Sequence, residues 1–126
     1  FNYGNMKRDF TYIDDVAECI LRCCKKPPQS NYLENKSAIN LSINYVPHKI
    51  FNIGNNSSIK LLDFINLLEK ELGTKALKKF LPLQDGDVID TFADTRALYE
   101  WIKFKPKTSL ENGVQKFAKW FISYTQ

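Results

Sequence analysis

Apolar residues recur at three- and four-residue spacing in several stretches of the chain, and the first of these predicts a helix. Val16, Ile20, Cys23 and Cys24 form its apolar stripe, and the helix runs to about Lys26. Asp14 or Asp15 is the predicted cap, with Glu18 three residues after Asp15 as a capping box requires. Lys25 and Lys26 suit the negative helix end, and Pro27-Pro28 stop it. Upstream, residues 1–13 read as extended, with β-prone Phe10, Thr11, Tyr12 and Ile13 after a turn at Gly4-Asn5. Residues 29–48 are polar and irregular, and predict a surface excursion with a short strand or turn of its own.

The second half is more strongly patterned. The short apolar run at residues 50–53, ended by Gly54, reads as a buried strand. Ser57 is the predicted cap of the next helix, whose stripe is Ile59, Leu62, Ile65, Leu68 and Leu72. Leu61, Phe64 and Leu67 broaden that stripe, and Gly73 is its terminator. Residues 50–72 thus predict one βα unit of a larger sheet. Residues 79–83 read as extended, and Gln84-Asp85-Gly86-Asp87 as a turn. Asp94 caps a short helix carrying Leu98, Tyr99 and Ile102. Thr108 with Glu111 is a second capping box, opening a last helix with Val114, Phe117, Phe121 and Tyr124 on one face and Trp120 beside it. Two or three short strands and four helices make an α/β pattern. So few strands are marginal as a free-standing sheet, so the remaining strands are expected in polypeptide upstream. The first residue, Phe1, fits a chain that starts within something longer.

Composition narrows the classes. With 44% hydrophobic residues, the 126-residue chain has the make-up of one small globular domain rather than a disordered tail. No apolar run is long enough to span a membrane, and no basic-then-apolar leader opens the chain. Cys19, Cys23 and Cys24 are three cysteines on one segment, which does not make a disulfide framework and suits a reducing cytoplasm. Cys19 and Cys23 share a helix face, but the only histidine, His48, is remote, so small buried hydrophobes are expected there rather than a metal site. The net charge of +4 comes with short lysine clusters but no nucleic-acid-binding motif, so no nucleic-acid partner is expected.

Two stretches carry candidate chemistry. In Lys7-Arg8-Asp9-Phe10-Thr11-Tyr12-Ile13-Asp14-Asp15, the planar arginine suits a bidentate grip on phosphate; the plainer expectation is an exposed Arg8 paired with Asp9. In Leu81-Pro82-Leu83-Gln84-Asp85-Gly86-Asp87-Val88, a carboxylate can accept two hydrogen bonds from a sugar diol; the plainer expectation is a simple turn.

Together these stretches resemble a known family. Phe1-Asn2-Tyr3-Gly4 leading into the Arg8 segment, then Phe51-Asn52-Ile53-Gly54-Asn55, then the Gln84–Asp87 loop followed by Phe92-Ala93-Asp94, are similar in order and spacing to the extended short-chain dehydrogenase/reductases that act as nucleotide-sugar epimerases and dehydratases. The resemblance covers essentially the whole chain. It implies the C-terminal, nucleotide-sugar-binding portion of a Rossmann-type α/β enzyme, with residues 50–72 joining the Rossmann sheet of the N-terminal part. Gln84 is closest to the UDP-glucuronate 4-epimerase branch, since UDP-galactose 4-epimerases typically carry arginine there. By that resemblance Arg8 holds the UDP diphosphate, Asp87 the ribose hydroxyls, Gln84 sits near the diphosphate, and Phe1 and Asn2 lie near the uridine. Lys7, Asp9 and Tyr12 support the local structure. NAD is the implied cofactor, a UDP-sugar the substrate, and a homodimer the implied assembly. A 4,6-dehydratase, a decarboxylase or a non-catalytic nucleotide-sugar-binding module are the alternatives.

The family's chemistry also needs a glycine-rich NAD turn and a helical Tyr-x-x-x-Lys pair. No G-x-G-x-x-G or G-x-x-G-x-x-G occurs in this sequence. Tyr-x-x-x-Lys occurs as Tyr3/Lys7, Tyr32/Lys36, Tyr45/Lys49 and Tyr99/Lys103, and only the last is predicted helical. In the family the catalytic pair lies upstream of the Arg8-type segment. The chain by itself is therefore expected to be inactive.

Overall fold

The computed structural model describes residues 1–29 and 47–125. Most of the predicted excursion at 29–48, and the pair Tyr32/Lys36, lie outside the described residues. Among these, the elements in chain order are β1 (Lys7–Asp9), α1 (Ile13–Lys25), β2 (Ser58–Lys60), α2 (Leu61–Leu72), α3 (Arg96–Ile102) and α4 (Leu110–Thr125). The α/β class holds, with four helices and two short strands.

β1 and β2 pair antiparallel, with Lys7 opposite Lys60 and Asp9 opposite Ser58. Two strands are a weak sheet. A third segment shores up the other edge of β1: Lys7 N–H donates to Ile89 O at 2.9 Å, and Asp9 N–H to Thr91 Oγ1 at 3.1 Å. The extended stretch predicted for residues 1–13 is therefore only three residues of strand. Before it, Asn2–Gly4 forms a 3-10 turn, with Asn2, Tyr3 and Gly4 all at positive φ. The run at residues 50–53 has no ladder partner among the described residues, and Ile50 is 87% exposed. The strand that does precede α2 is β2.

Helix ends are where local pattern and structure part. α1 begins at Ile13 with Tyr12 as N-cap and no side-chain cap bond. Asp15 instead accepts the backbone N–H groups of Lys107 (3.1 Å) and Thr108 (2.8 Å), 92 and 93 residues away. Burial pushes the Asp15 carboxyl up, but these hydrogen bonds, led by Thr108, outweigh it and leave its pKa lowered. Glu18, the predicted other half of a capping box, pairs with Arg22. α2 follows directly on β2, with Lys60 as N-cap rather than Ser57. Thr108 is engaged with Asp15, so α4 is capped one residue later, where the Ser109 hydroxyl accepts Asn112 N–H at 3.3 Å. Asp94 does receive Arg96 N–H at the start of α3, at 3.1 Å. Gly73 ends α2 in the left-handed conformation, as its sequence position predicts.

The buried centre is Cys19, Leu98 and Ile102, with Phe51, Ile53, Trp101 and Phe104 packed around it. It joins α1 to α3. Trp101 Nε1–H donates to Lys26 O at 2.9 Å and Lys26 Nζ donates to Trp101 O at 2.8 Å, bolting the end of α1 to α3. The face of α1 that turns inward is Asp15 and Cys19; Ile20 and Cys24 from the predicted stripe are exposed. On the other side α2 packs against α4. α4 buries Gly113, Val114 and Ala118, whereas Phe117, Trp120, Phe121 and Tyr124 point outward and stack on one another.

The one buried residue of α2 is an acid. Glu69 accepts Lys75 Nζ at 2.9 Å, Ala76 N–H at 3.0 Å and Lys78 Nζ, tying residues 74–78 back onto the helix. Lys78, then Lys75 and the Ala76 N–H, lower its carboxyl to about 2 from the usual 4.5. A folded pKa below the unfolded one stabilises above the unfolded value and loses that contribution as pH falls through the folded one. The denaturant midpoint is therefore expected to drop between pH 4.5 and about 2. In Glu69→Gln this part of the pH profile should flatten; an unchanged slope would show that the lock contributes nothing.

Candidate functional site

Antiparallel pairing carries the side chain of Arg8 to the edge that faces residues 87–91. Its Nη1 donates to Lys7 O at 2.8 Å and Ile89 O at 3.3 Å, and Nη2 donates to Asp87 Oδ1 at 3.1 Å. Arg8 and Asp87 are 79 residues apart in sequence, and each side chain is 28% exposed. A guanidinium held at two carbonyls and one carboxylate is aimed rather than swinging. The pairing expected from the sequence, Arg8 with Asp9, is not the one formed. An arginine with one neighbouring acid in sequence has no local reason to prefer another; the strap running along β1 supplies it.

Asp87 sits at the end of a tight turn. Its N–H donates to Gln84 O at 3.1 Å, with Gly86 at φ 81° in between. Asp87 Oδ1 also accepts Val88 N–H at 2.9 Å. Gln84 contributes its backbone carbonyl to the turn and is itself exposed. The start of the chain is tied to the same strap, since Tyr3 N–H donates to Leu81 O at 2.9 Å. Asn2 donates its amide to Asn5 O at 2.7 Å. Phe1 is half exposed and lines an open apolar groove of about 470 Å³ with Gly4, Leu62, Leu77 and Phe80. Positive φ at the non-glycine residues Asn2 and Tyr3 is the kind of backbone that surrounding structure must hold in place. The five residues singled out in the sequence thus fall into three linked pieces: the Phe1–Asn2 turn, the Arg8–Asp87 clamp, and the Gln84 turn that carries Asp87.

Asp9 is the residue whose partners local reasoning missed. Its Oδ1 accepts the N–H groups of Asn55 (3.0 Å) and Ser57 (3.3 Å), and Oδ2 those of Asn56 and Ala93 (both 3.1 Å). The signal for it was Gly54: a Cβ there would lie 2.4 Å from Ala93 Cβ and 2.7 Å from Asp9 Oδ2.

No glycine in the chain is placed to cradle a dinucleotide. Gly73 ends α2, Gly86 lies in the Gln84 turn, Gly4 and Gly54 pack against Leu62 and Ala93, and Gly113 sits inside α4 against Tyr12. The described residues therefore do not fit NAD, whose pyrophosphate needs a glycine turn at a helix N-terminus. Of the Tyr-x-x-x-Lys pairs, Tyr99/Lys103 starts in α3, but Lys103 is the left-handed residue that ends it. Tyr3 and Lys7 lie on a turn and a strand. Tyr45 is outside the described residues. No group of three or more metal-binding side chains occurs among the described residues, and no described helix is long and apolar enough to cross a membrane.

No family model matches the chain. Individual proteins do. It is 43% identical over 124 residues to Protein CapI of Staphylococcus aureus, covering 98% of this chain and 37% of that protein. It is 37% identical over 122 residues to a probable UDP-glucuronate 4-epimerase of Rhizobium meliloti, covering 96% and 36%. Among solved structures, the UDP-glucuronic acid 4-epimerase of Bacillus cereus in complex with UDP-glucuronic acid and NAD superposes with a TM-score of 0.71 at 27% identity, over 98% of this chain and 34% of that one. The chain spans about a third of the length of the relatives it matches. NAD is the cofactor held by these structural neighbours. Over nearly all its residues, this chain is similar to about a third of the length of UDP-sugar epimerases of the extended short-chain dehydrogenase/reductase type.

Proposed function

We propose that this chain is the C-terminal, UDP-sugar-gripping portion of an NAD-dependent 4-epimerase that interconverts UDP-glucuronate and UDP-galacturonate. The Arg8–Asp87 clamp carries the reading. It sets a fixed cationic fork beside a carboxylate, the pair of groups that a nucleoside diphosphate presents complements for in its phosphates and ribose diol. Arg8 grips the diphosphate, Asp87 accepts from the ribose hydroxyls, and the uncharged Gln84 lies by the diphosphate. Phe1 and Asn2 face the uridine. Residues 50–72 dock onto the Rossmann sheet of the N-terminal part, which would hold NAD and supply the hydride chemistry there. The share of this chain is positioning: binding energy taken up on UDP, away from the reacting carbon, holds the sugar while it turns. Three free cysteines are in keeping with a reducing cytoplasm.

The complete enzyme, given UDP-glucuronate and NAD, is expected to yield UDP-galacturonate and an equilibrium mixture of the two. Release of carbon dioxide, or build-up of a 4-keto sugar without inversion at C4, would replace the epimerase reading by a decarboxylase or dehydratase. The 126-residue chain by itself is expected to turn nothing over.

A further inference from the structure

We infer that Asp9 is the positioning residue that sets the geometry of the Arg8–Asp87 clamp. The inference rests on the nucleotide-sugar reading above and adds a residue that touches no substrate. Arg8 is aimed by Lys7 O, Ile89 O and Asp87, so its direction depends on where residues 87–91 lie along β1. That segment is held to β1 by Lys7 N–H to Ile89 O and Asp9 N–H to Thr91 Oγ1, and beyond these by Ala93 N–H to Asp9 Oδ2. The other neighbour of β1 is fixed by the same carboxylate, through the N–H groups of Asn55, Asn56 and Ser57 just before β2. Ser58 then reaches across to Asp90 on the strap. One carboxylate, next in sequence to Arg8, therefore registers both flanks of the strand that presents Arg8.

Only a carboxylate of this length fits. Its two oxygens each take two peptide N–H groups, so an asparagine would turn its NH2 against two donors in either orientation. Glutamate is one methylene too long for a space that tolerates no Cβ at Gly54, 2.7 Å from Asp9 Oδ2. Slippage of the strap moves Asp87 and Ile89 off Arg8 and loosens the grip on UDP, while the reacting part of the sugar is bound elsewhere.

The test is a double-mutant cycle in the complete enzyme, with UDP as probe and Arg8→Ala, Asp9→Asn and the double variant compared. Asp9→Asn is expected to raise the UDP Kd roughly tenfold or more while kcat at saturating UDP-sugar stays within about threefold. Because Asp9 acts through Arg8, the double variant should bind UDP no more weakly than Arg8→Ala alone. If the two losses add, or if Asp9→Asn lowers kcat with UDP affinity intact, the positioning role is overturned. If Arg8→Ala leaves UDP affinity unchanged, it is the nucleotide-grip reading that falls. Should Asp9→Asn not fold, Thr91→Val removes only the hydroxyl that receives Asp9 N–H. It is expected to weaken UDP binding by a smaller factor with the same non-additivity, and additivity there overturns the inference equally.

Discussion

Arg8→Ala is expected to weaken UDP binding by roughly 2–4 kcal/mol, or about 30- to 700-fold in Kd, in the enzyme that carries this chain. Two losses combine. On the proposed reading, the diphosphate loses a guanidinium that Lys7 O, Ile89 O and Asp87 hold in one orientation. Asp87 is left without its charge partner in a place where its side chain is only 28% exposed. Arg8→Lys should recover part of the affinity, since it restores the charge but not the fork. The measurement is calorimetric titration with UDP, at two salt concentrations. A change smaller than twofold would remove Arg8 from the phosphate site.

Leu98→Ala is expected to cost about 2–5 kcal/mol of stability, read as a lowered denaturant midpoint. Leu98 is 1% exposed and sits at the centre of the group formed by Cys19, Ile102 and their neighbours. α3 has only seven residues, and its hold on α1 comes from this group and from the Lys26–Trp101 bonds. The helix is too short to collapse around a cavity without giving up those bonds, which places the cost high in the range. UDP affinity at temperatures where the variant is folded should change little, because the clamp lies on β1 and the strap. A loss below 1 kcal/mol would mean that the core is elsewhere.

Much of this was legible in the chain. The helices predicted at α1 and α2, the stop at Pro27-Pro28, the glycine end of α2 and the turn before Asp87 all appear in the structure, although Ile20 and Cys24 of the predicted α1 stripe are exposed. These features depend on residues within a few positions of one another, so the pattern contains its own cause. The caps show the limit of that logic. Asp15, Ser57 and Thr108 all have the right chemistry to cap a helix, and none of the three does so. Asp15 meets the Lys107 and Thr108 N–H groups instead, since a carboxylate goes to whichever backbone donors packing leaves unpaired.

The site divides the same way. The sequence alone carried the resemblance to the family and marked Arg8, Gln84 and Asp87 as candidate site residues, because each sits in a short motif read within a few positions. Only the tertiary structure decided who pairs with whom. Arg8 had an acid beside it in Asp9, yet its partner is Asp87, and Asp9 serves four peptide N–H groups from two distant loops. Charged and polar groups of one type are nearly interchangeable as partners. The choice among them is made by the path of the backbone, which brings residues some 80 positions apart to within 3.1 Å and is set by the packing of the whole chain.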